Sequence, residues 1–288
     1  MMPGMKILAS PGSMQRAALG WMSRKISVGF VPTMGALHAG HLALIARARR
    51  ENEIVVVSIF VNPSQFGPRE DYSRYPRPFR RDAELCRKAG ADVLFRPSAG
   101  SLYPPGYDTW VSVDKLSRAL CGPFRPGHFR GVATVVLKLL NLVLPTRAYF
   151  GLKDFQQVKV IERMARDLHL PVRIVPCPTI REPDGLALSS RNAYLSPAER
   201  SAAVLVPAAL RAAAQVIKSG RRSSVERARR AARGLLSRIP GARVQYADVV
   251  DPGTLAPLKD VRGRAVAAVA LYVGKTRLID NLIVRRHA

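Results

Sequence analysis

Through its first 180 residues the chain alternates short apolar runs with longer amphipathic stretches, which predicts strands and helices taking turns. Ile26–Val31 reads as a strand and His41–Arg50 as a helix with Leu42, Leu44, Ile45 and Ala48 inward. Ile54–Asn62 is a continuous apolar strand, Arg81–Lys88 a helix, and Asp92–Phe95 a strand. The helix Val132–Leu144 leads to a short strand, Ala148–Phe150. In Asp154–His169 the positions Phe155, Val158, Ile161, Ala165 and Leu168 form one stripe, ahead of a strand at Val172–Pro176. This order predicts an α/β domain with a parallel sheet, helices on both faces, and ligands at the carboxyl ends of the strands.

The pattern changes near Pro176–Pro178. A loop (Arg181–Pro197) precedes two Ala/Arg-rich helices, about Ala198–Lys218 and Ser223–Leu236. Strands follow near Val244–Val250, Ala265–Val273 and Thr276–Val284, the last two joined by a hairpin turn at Gly274 and Lys275. This is α+β order and predicts a smaller second domain. At the other end, Gln15–Met22 fits a short helix.

A length of 288 residues suits one large or two modest domains, and 48% hydrophobic with 23% charged residues excludes a disordered chain. The net charge of +26 points to an anionic partner: nucleic acid, anionic lipid or a phosphate-bearing substrate. The densest basic run, Arg221–Arg238, alternates Arg with Ala and Leu and carries no aromatic residues for base stacking. It reads as a solvated face, so no specific nucleic-acid partner is expected. Cys86, Cys121 and Cys177 lie far apart without metal-ligand spacing, as expected of reduced thiols in the cytoplasm. No run approaches the roughly 18–20 apolar residues of a membrane span, since Lys138 interrupts Val132–Leu144. Residues 1–25 lack a hydrophobic leader core, so a soluble, unprocessed chain is expected.

The candidate chemistry falls at the predicted strand ends. After the first strand comes P-T-M-G-A-L-H-A-G-H, Pro32 to His41, a turn entering a helix. His38 and His41 can share one side of that helix start. Gly35 and Gly40 leave room for a phosphate at its N–H groups. Two imidazoles there suit a phosphate whose charge grows during reaction, against the alternative of two structural histidines. After the second long strand, Asn62 and Gln65 offer uncharged amides that can grip a hydroxy-carboxylate, although Asn before Pro also suits a loop cap. G-L-K-D-F-Q-Q, Gly151 to Gln157, places a phosphate-suited Lys153 beside Asp154, with Gln157 able to meet Gln65 across a crevice. The plainer alternative is a capping Asp and a solvated Lys. In R-E-P-D-G-L-A-L-S-S-R-N, Arg181 to Asn192, the Ser189 and Ser190 hydroxyls and the Arg191 guanidinium can clamp a polyphosphate and move as a lid, or simply form a connection.

These stretches, with Tyr75–Arg77 and R-P-G-H-F-R-G-V-A-T-V-V (Arg125–Val136), closely resemble the pantoate–β-alanine ligase (pantothenate synthetase) family of the nucleotidylyltransferase superfamily, over nearly the whole chain. The resemblance implies a Rossmann-like domain over residues 1–179, an α+β lid domain over 180–288, and a cytoplasmic homodimer. It implies that (R)-pantoate, β-alanine and ATP with Mg²⁺ give pantothenate, AMP and diphosphate through a pantoyl adenylate. ATP would be bound by Met34, Gly35, Ala36, Leu37, His38, Ala39, Gly40 and His41, with His41 the proton donor. Gly151, Leu152, Lys153, Asp154, Ile180, Leu188, Ser189, Ser190 and Arg191 would complete that set. Gln65, Gln157 and Asn62 would hold pantoate and β-alanine. Leu188 stands where relatives have Met, and Leu152 where they are often polar. Arg81 replaces a frequent acid, which leaves the metal ligands undetermined, Asp82 being the candidate. The rival readings are another nucleotidyltransferase of the same fold, a synthetase fragment, and a basic nucleic-acid-binding protein.

Overall fold

The computed structural model describes residues 4–68, 70–219 and 224–286. The first part of the chain runs β1 (Lys6–Leu8), α1 (Pro11–Ser23), β2 (Val28–Thr33), α2 (Ala39–Glu51), β3 (Ile54–Ile59), α3 (Phe79–Lys88) and β4 (Val93–Phe95). The one-turn helices α4 (Ala99–Leu102) and α5 (Asp114–Ser117) precede α6 (His128–Val143), β5 (Arg147–Gly151), α7 (Phe155–Asp167) and β6 (Arg173–Cys177). The six strands pair in the order β1-β4-β3-β2-β5-β6, every pair parallel.

Alternation along the strands sorts the side chains to two faces. Val31, Val55, Val57, Leu94 and Tyr149 pack with Leu44, Ile45 and Ala48 of α2 and Ala83 and Cys86 of α3. The neighbours Phe30, Val56 and Phe95 are equally buried and must face the other way. From β2 the chain builds outward through β3 and β4, then returns to add β5 on the other side of β2. The order thus reverses between β2 and β5, and the carboxyl ends of these two strands flank the crevice where such sheets bind ligands.

The remainder is α8 (Pro197–Ala202), α9 (Leu205–Lys218), α10 (Ser224–Leu236) and the antiparallel strands β7 (Arg243–Val250), β8 (Arg264–Val273) and β9 (Thr276–Arg285). β8 is central and almost wholly buried, and the apolar faces of α9 and α10 pack on this sheet. The single helix expected over Ala198–Lys218 is interrupted after Ala202. Pro207 lacks the N–H that would bond the carbonyl of Ala203, so the ladder fails at that turn. Contrary to the expectation that no run approaches a membrane span, the stretch Pro197–Lys218 is long and apolar enough by composition to cross a membrane. Its Val206, Leu210, Ala213 and Ile217 are spent in the core against the sheet, as in the core helix of a folded domain. The start expected for the next helix, Ser223, and the first residues of the basic run, Arg221 and Arg222, lie outside the described residues.

Two compact units divide the chain. One comprises Met1–Ser117, Arg125–Leu152 and Gln157–Pro178; the other Arg118–Phe124, Lys153–Gln156 and Thr179–Ala288. Within the second unit, buried Gln156 joins its two short segments, accepting from the Cys121 N–H at 3.0 Å and donating to the Ala119 carbonyl at 2.6 Å.

Candidate active site

The turn after β2 is held from three sides. Thr33 Oγ1 donates to the Ser58 carbonyl at 2.7 Å and accepts from the Gly35 N–H at 3.1 Å. Gly35 and Ala36 then adopt positive φ, +81° and +49°, turning the chain toward α2. Their energetic support comes from Asp82 of α3, which is 1% exposed. Its Oδ2 accepts from the Ala36 N–H at 2.8 Å and its Oδ1 from the Leu37 N–H at 2.9 Å. A Cβ at Gly35 would lie 2.9 Å from Asp82 Oδ2, so glycine permits the clasp. Asp82 is therefore a brace for the turn, with both oxygens occupied by amides. The metal role left open for it does not fit this donor set, and among the described residues no group of three His, Cys, Asp or Glu side chains could hold an ion.

His38 and His41 cap α2 reciprocally. His38 Nδ1 accepts from the Gly40 N–H at 3.1 Å, and His41 Nδ1 accepts from the His38 N–H at 3.3 Å. The ring centroids are 4.2 Å apart. A Cβ on residue 40 would come within 2.8 Å of the His38 ring, so Gly40 is what lets that ring fold back. An Nδ1 that accepts is unprotonated, so each neutral ring carries its proton on Nε2. The capping geometry thereby makes both imidazoles hydrogen-bond donors at the amino end of a helix, where backbone N–H groups also favour anions.

Beyond β3, Asn62 caps a short 3₁₀ turn, Pro63–Gln65. Its Oδ1 accepts from Ser64 N at 3.3 Å and Ser64 Oγ at 2.9 Å, and its Nδ2 donates to Gln65 Oε1 at 3.1 Å and the Gly131 carbonyl at 3.2 Å. All four bonding positions of this buried amide are filled, one of them by the Gln65 side chain. Gln65 Nε2 lies 3.2 Å from Met34 Sδ, and among the described residues no hydrogen bond joins Gln65 to Gln157. Arg125 forks onto Glu70, Nε to Oε1 at 2.7 Å and an Nη to Oε2 at 2.5 Å, and also meets His128 Nε2 at 2.8 Å. Burial pushes the Glu70 carboxyl upward, but the hydrogen bonds and charge of Arg125 outweigh it and hold the group below its ordinary value. Met34 and Gly35 also line a cavity of ≈ 190 Å³ with Tyr72, Arg77 and Asp82.

In the second unit, Lys153 follows β5 in the 3₁₀ turn Leu152–Asp154, its Nζ 3.9 Å from Asp154 Oδ1 and its carbonyl accepting from Asn281 Nδ2 at 2.9 Å. The stretch Arg181–Asn192 is a stapled hairpin. Arg181 forks onto buried Asp280 at 2.7 and 2.9 Å, Arg200 pairs with Glu182 and Asp184, and Leu188 N–H donates to the Ile180 carbonyl at 3.0 Å. Ile180 and Leu188 are thus neighbours, and Ser189 caps the turn Ser190–Tyr194 by accepting from the Arg191 N–H at 3.2 Å. Sequence reading singled out the serines and Arg191 but missed the charged pairs that shape this segment.

A parallel sheet with histidine donors after the strand at its switch point defines a nucleotide-binding α/β protein. The family model for pantoate–β-alanine ligase matches residues 6–283. Pantothenate synthetase from Thermotoga neapolitana is 50% identical over 279 residues, covering 97% of this chain and 99% of that one. Pantothenate synthetase 1 of Bradyrhizobium diazoefficiens is 52% identical over 283 residues, covering 97% and 98%. The crystal structure of the pantothenate synthetase from Thermus thermophilus superposes with a TM-score of 0.91 at 50% identity, covering 96% of this chain and 99% of that one. A Francisella tularensis pantoate–β-alanine ligase, solved with β-γ ATP and β-alanine, gives a TM-score of 0.80 at 36% identity, covering 97% of each. The chain belongs to the pantoate–β-alanine ligase family, and it is a ligase that condenses pantoate with β-alanine.

Proposed function

We propose that the condensation runs through a pantoyl adenylate. A pantoate carboxylate oxygen attacks the α-phosphorus of ATP as the bond to diphosphate breaks. The β-alanine nitrogen then attacks the acyl carbon, loses a proton and expels AMP. The observation that supports this best is the fixed tautomer of His38 and His41: two Nε2–H donors suit the charge that grows on the phosphate in the first step. His41 is the proton donor, and Met34, Gly35, Ala36, Leu37, Ala39 and Gly40 form the surrounding nucleotide-binding turn. Gly151, Leu152, Asp154, Ile180, Leu188, Ser189 and Ser190 are further nucleotide ligands, with Lys153 and Arg191 supplying positive charge for the phosphates. Gln65 and Gln157 hold pantoate, Gln65 also serves β-alanine, and Asn62 sets Gln65.

Mg²⁺ would come bound to the triphosphate and offset its charge, since the Asp82 carboxylate is engaged with the Ala36 and Leu37 N–H groups. The working protein is a cytoplasmic homodimer formed through the amino-terminal unit, with no specific nucleic-acid or membrane partner. Pantoate-dependent exchange of labelled diphosphate into ATP tests the scheme. Exchange without β-alanine, with AMP accumulating only on adding it, is expected; exchange that requires β-alanine would contradict the separate first step.

A further inference from the structure

The segment Arg125–Gly131 belongs to a motif for which the reaction above has no use, yet three of its residues converge on the turn that carries Gln65. An arginine side chain can only donate, so the 2.8 Å contact of Arg125 with His128 Nε2 makes that nitrogen the acceptor. The proton of the neutral ring therefore sits on Nδ1, which donates to the Gln65 carbonyl at 2.8 Å. Arg125 donates to the same carbonyl at 3.3 Å, and is itself locked by the fork onto Glu70, their side chains 13% and 20% exposed. From the next turn of α6, Gly131 presses its backbone against the same segment. Its carbonyl accepts from Asn62, and a Cβ there would stand 2.2 Å from the Ser64 carbonyl oxygen. Backbone and side chain of Gln65 are thus fixed separately, the first by His128 and Arg125, the second by Asn62.

We infer that Arg125, His128 and Gly131 are positioning residues for the pantoate and β-alanine subsites, setting the place of the Gln65 amide through its backbone. This rests on the role of Gln65 proposed above. An amide recognises a carboxylate or hydroxyl by geometry alone, without charge to compensate a misplaced contact, so a displaced Gln65 weakens those substrates far more than the nucleotide, which it reaches only through its contact with Met34.

Steady-state kinetics on the full chain test this, with KM read separately for pantoate, β-alanine and ATP. His128→Phe keeps the ring and removes both hydrogen bonds; we expect the pantoate KM to rise about 10- to 10²-fold while the ATP KM stays within about twofold. His128→Asn restores a donor near Nδ1 and recovers most of the loss. Gly131→Ala, which pushes the turn, reproduces the selective rise. If His128→Phe does not fold, Arg125→Lys, which keeps the charge but loses the fork, takes its place with the same selective rise expected. A pantoate KM within about twofold of wild type in the folded variants, or an ATP KM rising in step, overturns the inference. Gln65→Asn is measured alongside. If it leaves pantoate binding unchanged, the role of Gln65 itself fails, whereas an effect there with none at His128 and Gly131 sinks only the positioning role.

Discussion

Asp82→Asn separates a brace from a metal ligand. The wild-type carboxylate accepts two backbone N–H groups, from Ala36 and Leu37, at 2.8 and 2.9 Å. The asparagine is isosteric but turns one acceptor into a donor, so one charge-assisted bond is lost, the other becomes neutral, and one amide is left facing N–H. A hydrogen bond to a charged group contributes about 1.5–3 kcal/mol, and an unpaired buried N–H costs about 1–3 kcal/mol. The adjacent cavity of ≈ 190 Å³, which Asp82 helps to line, can admit water to the orphaned amide and offsets part of that second cost. We expect a net destabilisation of about 2–3 kcal/mol, read from urea unfolding of wild type and variant. The same turn carries His38, so its loosening should lower kcat by about 10²-fold. The Mg²⁺ concentration giving half-maximal activity should not move. Wild-type stability combined with a raised Mg²⁺ requirement would refute the brace and return Asp82 to a metal role.

His38→Ala and His41→Ala each remove a preorganised donor and should lower the single-turnover adenylation rate by about 10²–10³-fold. Because His38 is also the cap of α2, its alanine variant should in addition lose about 1 kcal/mol of stability in urea. Glu70 titrates below its ordinary value in the folded protein, so its contribution is fully present above the unfolded carboxyl's value of about 4.3 and disappears as pH falls through the folded value. The urea midpoints of wild type and Glu70→Gln should therefore differ at neutral pH and converge as pH falls through the lowered folded value of Glu70; a gap that persists once Glu70 is protonated in the folded state would show that the Arg125 pair does not set the shift. Sedimentation at micromolar concentration should show a species near twice the 31.5 kDa chain mass, and a species at the chain mass alone would count against the dimer.

The two-part architecture and the placement of H-x-G-H, Asn62 and Lys153 just after strands β2, β3 and β5 were legible because both arise from local pattern: apolar runs with turn residues after them, and H-x-G-H beside a helix start. The edge strand β1 escaped because three residues, Lys6–Leu8, carry no readable period. The interruption before α9 traces to Pro207, whose break is masked in the sequence by the continuous apolar helical pattern around it. What the pattern cannot hold is side-chain pairing across long separations. Asp82 meets Ala36 across 46 residues, Arg125 meets Glu70 across 55, and Arg181 meets Asp280 across 99. Each looks like an ordinary surface charge in the sequence, and only the fold turns it into the brace of a turn or hairpin. Among the described residues no hydrogen bond joins Gln65 to Gln157; the Gln65 side chain pairs with Asn62, the cap of its own 3₁₀ turn.

The acyl adenylate is the central claim, and positional isotope transfer tests it most directly. Pantoate labelled with ¹⁸O at both carboxylate oxygens is turned over with ATP and β-alanine, and the products are analysed by mass spectrometry. If the carboxylate oxygen attacks the α-phosphorus, it stays there when the amine displaces AMP, so one ¹⁸O should appear in AMP for each pantothenate formed. Unlabelled AMP, with the ¹⁸O recovered in the diphosphate or in inorganic phosphate, would place the attack on another phosphorus and contradict the role given to His38 and His41.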